Sequence, residues 1–113
     1  MKPGDIVLVR FPQTDLQAGK LRPALVLAIS PGPYRDVLLA MITSRPHQII
    51  HEFDEVIEPT DPDYPDSGLK THSIVRLSRL ASVETSVINA KLGEISLGRL
   101  DEAKKRVINW LKQ

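Results

Sequence analysis

Three short apolar runs open the chain, and none of them alternates. Ile6-Val7-Leu8-Val9 with Phe11, Ala24 to Ile29, and Val37 to Ile42 carry aliphatic and β-branched residues on consecutive positions. Each is shorter than a usual helix and is bounded by Gly, Pro or Asp, so each predicts a strand. A strand with one wet face alternates apolar and polar residues, so both faces of these three are expected to be covered. A sheet curled on itself, a packed helix or a second subunit would supply the cover.

Further along, the pattern weakens and then changes period. "HEFDEVIE", His51 to Glu58, predicts a weaker alternating strand anchored by Phe53 and Val56. "SIVRLSRL", Ser73 to Leu80, sets Val75 and Leu77 against Arg76 and Ser78, which predicts a strand with one polar face. Residues 83 to 88 suit a short helical turn, and "KLGEI", Lys91 to Ile95, a last short strand. In the tail, Leu97, Leu100, Ala103, Val107, Ile108 and Leu111 recur at helical spacing, with Asp101, Glu102, Lys104, Lys105 and Arg106 on the other side. Ser96 suits an N-cap, and early acids with a late Lys112 suit the helix dipole. Gly98 weakens the first turn by about 1 kcal/mol relative to alanine. Such a helix is expected to cover the sheet.

The connections carry turn chemistry. "SPGPYRD", Ser30 to Asp36, is a turn cluster. "PTDPDYPDSG", Pro59 to Gly68, is expected as loop because its prolines cannot donate to a ladder. Pro12 to Leu21 is too long for a tight hairpin and suggests a functional or mobile loop. At its end stands "GKLRPALVLAI", Gly19 to Ile29. Proline is tolerated at the mouth of a strand and pushes the preceding residue into extended geometry. Arg22 is therefore expected to be held extended at a strand entrance beside a glycine loop. A cation pinned there suits an anion, and it also suits an ordinary surface.

Composition narrows the classes. With 113 residues, 42% hydrophobic and 26% charged, the chain fits one soluble globular domain with a modest core. The absence of cysteine removes disulfides and thiolate metal sites. "MKPGDIVLVRF" is too short an apolar stretch to span a bilayer and lacks a cleavage signal, which points to a cytoplasmic protein with no membrane association. The net charge of +1 conceals a segregation. Glu52, Asp54, Glu55, Glu58, Asp61, Asp63 and Asp66 fall in a stretch, Gln48 to Leu69, without Lys or Arg. Arg10, Lys20, Arg22, Arg35, Arg45, Arg76 and Arg79 lie outside it. Folding could gather these cations into a face for an anionic partner, although solubility alone also scatters such charges.

Candidate chemistry is sparse. His47 and His51 are four residues apart, but Pro46 and a following strand argue against the helix that would align them on a metal, and they read as exposed loop histidines. There is no HExxH pattern, phosphate-loop glycine pattern or GxSxG elbow. Thr43 and Ser44 stand directly after the third apolar run, at "MITSRP". A hydroxyl pair there is either rigidly presented for chemistry or simply initiates a turn.

Taken in order, "GDIVLVRF", the glycine loop with "LRPALVL", "MIT", "SGLKTHSIVRLSRLASV" and "KLGEIS" before a final helix resemble the MazF/PemK family, the toxins of type II toxin–antitoxin systems. The likeness covers nearly the whole chain. It implies a mainly β fold with a C-terminal helix (α+β), a small and strongly curved SH3-like antiparallel barrel, with residues 1–113 as one domain, usually homodimeric. It also implies metal-independent, cofactor-free and sequence-selective cleavage of single-stranded RNA. The 2′-hydroxyl attacks the adjacent phosphate, leaving a 2′,3′-cyclic phosphate and a 5′-hydroxyl. The family's catalytic arginine falls on Arg22 and its strand-end threonine on Thr43, with Ser44 beside it. A planar guanidinium can meet two nonbridging oxygens at once. Asp15-Leu16-Gln17 stand where some members carry a glutamate, so Asp15 substitutes as the base or that role is absent. His47 or His72 could otherwise transfer the proton, a role ranked below a plain surface one. "LASVE" offers Ala81 and Ser82 where some members have a basic residue, with Arg79 slightly earlier. RNA would be gripped by the Pro12–Leu21 loop, with Lys20 and Gln17, and by a basic groove of Arg45, Arg76 and Arg79. The implied partners are RNA, an acidic antitoxin laid over the same groove, and operator DNA only through the antitoxin complex. Two other classes stand beside this one. A non-catalytic SH3-like binding module would suit the departures near Asp15 and Ala81, and a gyrase-directed toxin is a related alternative.

Overall fold

Six strands make one antiparallel sheet in the order β4-β5-β3-β2-β1-β6. They are β1 (Asp5–Val9), β2 (Arg22–Ile29), β3 (Val37–Thr43), β4 (Glu55–Ile57), β5 (Ser73–Val83) and β6 (Ile88–Glu94). A short helix α1 (Tyr64–Ser67) precedes β5, and α2 (Leu97–Leu111) ends the chain. The computed structural model describes residues 1–10 and 20–113. Among these residues no helix is long and apolar enough to cross a membrane.

The three unalternating runs do face apolar surroundings on both sides. Ile6, Leu25, Leu27, Ala40 and Ile42 point into one cluster, while Val7, Val9, Ala24, Val26, Val37 and Leu39 form a second. The first is covered by α2, whose Leu100, Ala103 and Val107 are buried in it together with Ile57 and Leu77. The second is bordered by Ile29, Met41, Ala81, Val83 and Ile88 from the curling sheet itself. Two of the covers expected from sequence, a packed helix and a bent sheet, thus act together.

Curvature is built in by breaks of register. Along β3 and β5, Ala40 pairs with Leu80 but the next residue, Met41, pairs with Arg76, so Leu77, Ser78 and Arg79 bulge out between them. Such extra residues bend a strand and raise its twist. Asp54 holds the bulge: its carboxylate accepts from the N–H of Leu77 at 3.0 Å and of Ile50 at 2.8 Å. At the other edge of the sheet, a side chain added at Gly93 would collide with the main chain of Asp66 and Ser67, and one at Gly68 with the main chain of Leu92. The segment Asp66–Gly68, turning at φ +73° on Gly68, therefore packs directly on β6 and brings the two ends of the curled sheet together.

Several expectations shift in detail. The strand expected over His51 to Glu58 shrinks to Glu55–Ile57, because Asp54 turns inward and Glu52 takes a left-handed conformation at φ +65°. Ile57, fully buried, is the anchor rather than Val56. The loop expected over Pro59 to Gly68 contains α1, which starts within one residue of Pro65, a position where a missing N–H costs nothing. Strand β5 runs on to Val83, and the short helical turn forms at Thr85–Val87. Ser96 does cap α2, its hydroxyl accepting from the Arg99 N–H at 3.2 Å. The dipole expectation is corrected: the first turn of α2 holds no acid and its last turn no base. The negative charge there comes from outside the helix, since Asp63 accepts from the Ser96 N–H at 3.0 Å.

Candidate active site

Arg22 begins β2 and Thr43 ends β3. The ladder between these strands runs from Ile29–Val37 down to Ala24–Met41. It stops next to Pro23, which has no N–H to donate and pairs on its other side with Leu8. Arg22 and Thr43 each lie two residues past the last pair. Side chains repeat their face every second residue, so both project from the face that carries Ala24 and Met41. The proline that holds Arg22 extended thus also leaves this end of the ladder open.

Thr43 initiates a turn, as one of its two sequence readings has it. Its Oγ1 accepts from the Arg45 N–H at 3.1 Å, which starts the turn leading into Pro46–Gln48. A hydroxyl has two acceptor lone pairs and one donor. The turn uses one lone pair and fixes the oxygen, and the O–H remains able to donate outward.

Both residues open on one cavity of about 980 Å³. Its lining includes Lys20, Arg22, Thr43, Ser44, Arg45, Arg76 and Arg79, so apart from His47 and His72 the described residues nominated from sequence are brought to one place. Asp15 and Gln17 lie outside the described residues. The lining also includes Lys70, which sequence reasoning missed, together with Thr71 and Gln48. The turn at Gly68 positions Lys70, and the signal for it was the "SGLK" that follows a short helix. Among the described residues that line it, none is Asp or Glu. The apolar part comes from Leu8, Pro23, Met41, Leu69 and Leu92.

Arg76 is unusual within this wall. It sits opposite Met41 at the lip of the β5 bulge, and its Nε is buried without a hydrogen-bond partner. A buried donor left unpaired costs about 1–3 kcal/mol. Among the described residues, no ion pair within 4 Å includes Lys20, Arg22, Arg45, Lys70, Arg76 or Arg79.

The acids of the Gln48–Leu69 stretch are engaged elsewhere. Arg99, at the start of α2, meets Glu55 at 3.0 Å, Asp61 at 2.8 Å and Asp63 at 2.9 Å, and donates to the Val56 carbonyl at 2.6 Å. The hydrogen bonds from Arg99 hold the Asp63 carboxyl down at about 2, and Asp63 in turn raises the Arg99 guanidinium further. Burial pushes Glu55 up despite Arg106 and Arg99. Its Oε2 lies 3.1 Å from Arg106 but without hydrogen-bond alignment.

His72 lies 3.0 Å from Glu58, and His47 and His51 are exposed. None of the three lines the cavity, so proton transfer by His47 or His72 finds no geometric support. Among the described residues no three His, Asp or Glu side chains gather into a group able to hold a metal ion.

Comparison with known proteins shows what the chain is similar to. The family model described as PemK-like, MazF-like toxin of type II toxin–antitoxin system matches residues 2–111. No curated protein matches the chain. Among solved structures, MazF from Deinococcus radiodurans aligns over 100% of this chain and 97% of its own, at 23% identity and TM-score 0.72. The Mycobacterium tuberculosis toxin MazF-mt6 aligns over 96% of each chain, at 15% identity and TM-score 0.69. A mycobacterial endoribonuclease solved in complex with its cognate antitoxin aligns over 99% of this chain and 95% of its own, at 14% identity and TM-score 0.66. The shared fold is the curled antiparallel sheet with its C-terminal helix.

Proposed function

The chain belongs to the PemK-like, MazF-like toxins of type II toxin–antitoxin systems, and on that premise we propose that it is an endoribonuclease cutting single-stranded RNA without a metal. The observation that carries this reading is the placement of Arg22 and Thr43, each two residues past the last pair of one ladder, on a cavity whose described lining is cationic and holds no carboxylate.

The chemistry follows from what these groups can do. A 2′-hydroxyl attacks the adjacent phosphorus, the O2′–P bond forms and the P–O5′ bond breaks. The products are a 2′,3′-cyclic phosphate and a 5′-hydroxyl. Negative charge grows on the nonbridging oxygens, and the planar guanidinium of Arg22 can meet two of them at once. Donors fixed before the reaction lower the barrier because they need no rearrangement when charge develops. Thr43, its oxygen fixed by the Arg45 N–H, gives its O–H to a phosphate oxygen, with Ser44 beside it. The 2′-hydroxyl proton leaves to a base, for which the sequence offers Asp15. Lys20, Gln17, Arg45, Arg76 and Arg79 grip the strand, and unstacked bases are read on their edges.

The same cationic walls suit an acidic antitoxin segment, which would exclude RNA by occupying them. One structurally similar endoribonuclease was solved with its cognate antitoxin. Residues 1–113 act as one domain, in the cytoplasm and as a homodimer, and operator DNA is met only through the antitoxin complex.

The test is direct. Purified protein is incubated with a long single-stranded RNA in the presence of a chelator. The parent is expected to cut at discrete sites, leaving cyclic-phosphate ends, and Arg22→Ala to lose about 10²–10³ in rate. An intact substrate that is nonetheless bound would identify a non-catalytic module instead. Neither binding nor cutting, with gyrase inhibited, would identify a gyrase-directed toxin.

A further inference from the structure

We infer that the cavity holds two phosphates of one RNA strand: the scissile one at Arg22 and Thr43, and a neighbouring one at a separate subsite formed by Arg76 and Lys70. The inference rests on the endoribonuclease reading and assigns to these two residues a positioning task distinct from catalysis.

The argument begins with separation. Arg22 lies on β2 and Arg76 on β5, with β3 between them. Neighbouring strands are about 4.8 Å apart, so the two backbones stand about 10 Å apart across the sheet. Their places along it also differ. Arg76 is level with Met41, whereas Arg22 lies two residues past the Ala24–Met41 pair, beside the end of β3 at Thr43. Two arginines whose backbones are set apart in both directions suit successive anionic groups on a chain better than the two oxygens of one phosphate.

The second argument is the orphaned donor. Arg76 Nε is buried and unpaired, although a carboxylate in this wall would have satisfied it. Arg99, the other shielded arginine, has three carboxylates around it. Arg76 itself lines the cavity, and a guanidinium there with no carboxylate among the described lining residues is compensated when an anionic oxygen enters. Lys70 comes from a different element, the turn at Gly68, and adds a mobile point charge where Arg76 offers a fixed fork. Neither residue belongs to the Arg22–Thr43 ladder end, so losing either should weaken the hold on substrate more than it slows the reacting step.

The experiment uses the intact protein and an RNA oligonucleotide spanning a mapped cleavage site. A copy with 2′-deoxyribose at that site cannot react and reports binding by fluorescence anisotropy across a range of KCl. Arg76→Met and Lys70→Ala are each expected to raise KM and the dissociation constant about tenfold, with kcat held within about threefold. Each should lower the slope of log affinity against log salt by about 0.7. Arg76→Lys should restore most of that slope. A neutral methylphosphonate scanned along the strand should weaken the parent at one neighbouring phosphate and leave Arg76→Met unaffected there. Thermal midpoints unchanged from the parent separate lost binding from lost folding. The inference is overturned if Arg76→Met lowers kcat as Arg22→Ala does with KM unchanged, or if both variants bind as the parent does while the parent cuts. If the parent neither binds nor cuts RNA, the endoribonuclease reading itself fails, and this one with it.

Discussion

Arg99 is largely buried and Arg76 has a buried Nε, yet their surroundings differ in kind. Around Arg99 stand Glu55, Asp61 and Asp63 within 3.0 Å, and the side chain is 12% exposed. Around Arg76 is the wall of a cavity with no acid among its described lining residues, and its Nε has no partner among the described residues. The first arrangement leaves nothing for a ligand and ties α2 to the β4–α1 region. The second leaves a donor without a partner among the described residues. Residue type alone does not distinguish these two arginines; the completeness of the surrounding hydrogen bonds does.

The contrast can be broken from either side. The largest effect is expected from Arg22→Ala on the cavity side, with RNA cleavage falling to the background and the unfolding free energy staying within about 0.5 kcal/mol of the parent. A loss of fold there would erase the distinction. Arg99→Met should do the reverse. Three acids lose their shared partner, and removing one member of a shielded ion network costs about 3 kcal/mol. The thermal midpoint should fall by about 10 °C or more by calorimetry, while cleavage per folded molecule persists.

A third test uses acid. Asp63, held at about 2 when folded against 3.8 otherwise, contributes stability that is fully present above about pH 4. That contribution disappears as pH falls from there toward 2. Partial exposure to solvent reduces it to about 1 kcal/mol. Denaturant midpoints of the parent and Asp63→Asn should therefore differ near pH 5 and converge only as pH falls through about 2. Glu55, pushed upward by burial, works in the opposite sense, since its protonation in acid favours the fold.

Smaller still is Thr43→Val. It should slow cleavage about tenfold, the value of one hydrogen bond of about 1.4 kcal/mol, and Thr43→Ser should restore most of it. The smallest effect is expected at the exposed pair Asp101–Lys105, 3.1 Å apart. Lys105→Ala should leave both the thermal midpoint and the cleavage rate where they are, and a measurable change there would mean that surface pairs matter more than the Arg99 network implies.

Much of the sheet was legible because its cause is local. Ile6 to Val9, Ala24 to Ile29 and Val37 to Ile42 advertise buried strands by composition alone, and Arg22-Pro23 announces an extended residue at a strand mouth. The tail was legible by period, and Ser96 by its chemistry. What escaped depends on residues far apart in sequence. Arg99 finds Glu55, Asp61 and Asp63 across a separation of 36 to 44 positions. From the sequence they were only a block of acids and a helix residue, so the block's task of pinning α2 could not be read. Asp54 looked like one polar position of an alternating strand, but its carboxylate turns inward to the bulge. The candidate site divides in the same way. Arg22 and Thr43 were marked by strand ends, whereas Lys70 reaches the cavity only because Gly68 packs against β6.

Asp54 grips main-chain N–H groups, those of Ile50 and Leu77, and no side chain of the cavity wall. The kink in β5 is thus indifferent to what stands at positions 76 and 79. Substitutions at those two positions would alter the charge of the cavity wall while the path of the chain stays put. This tolerance has a single vulnerable point: a change at Asp54 would disturb the bulge whatever stands at positions 76 and 79.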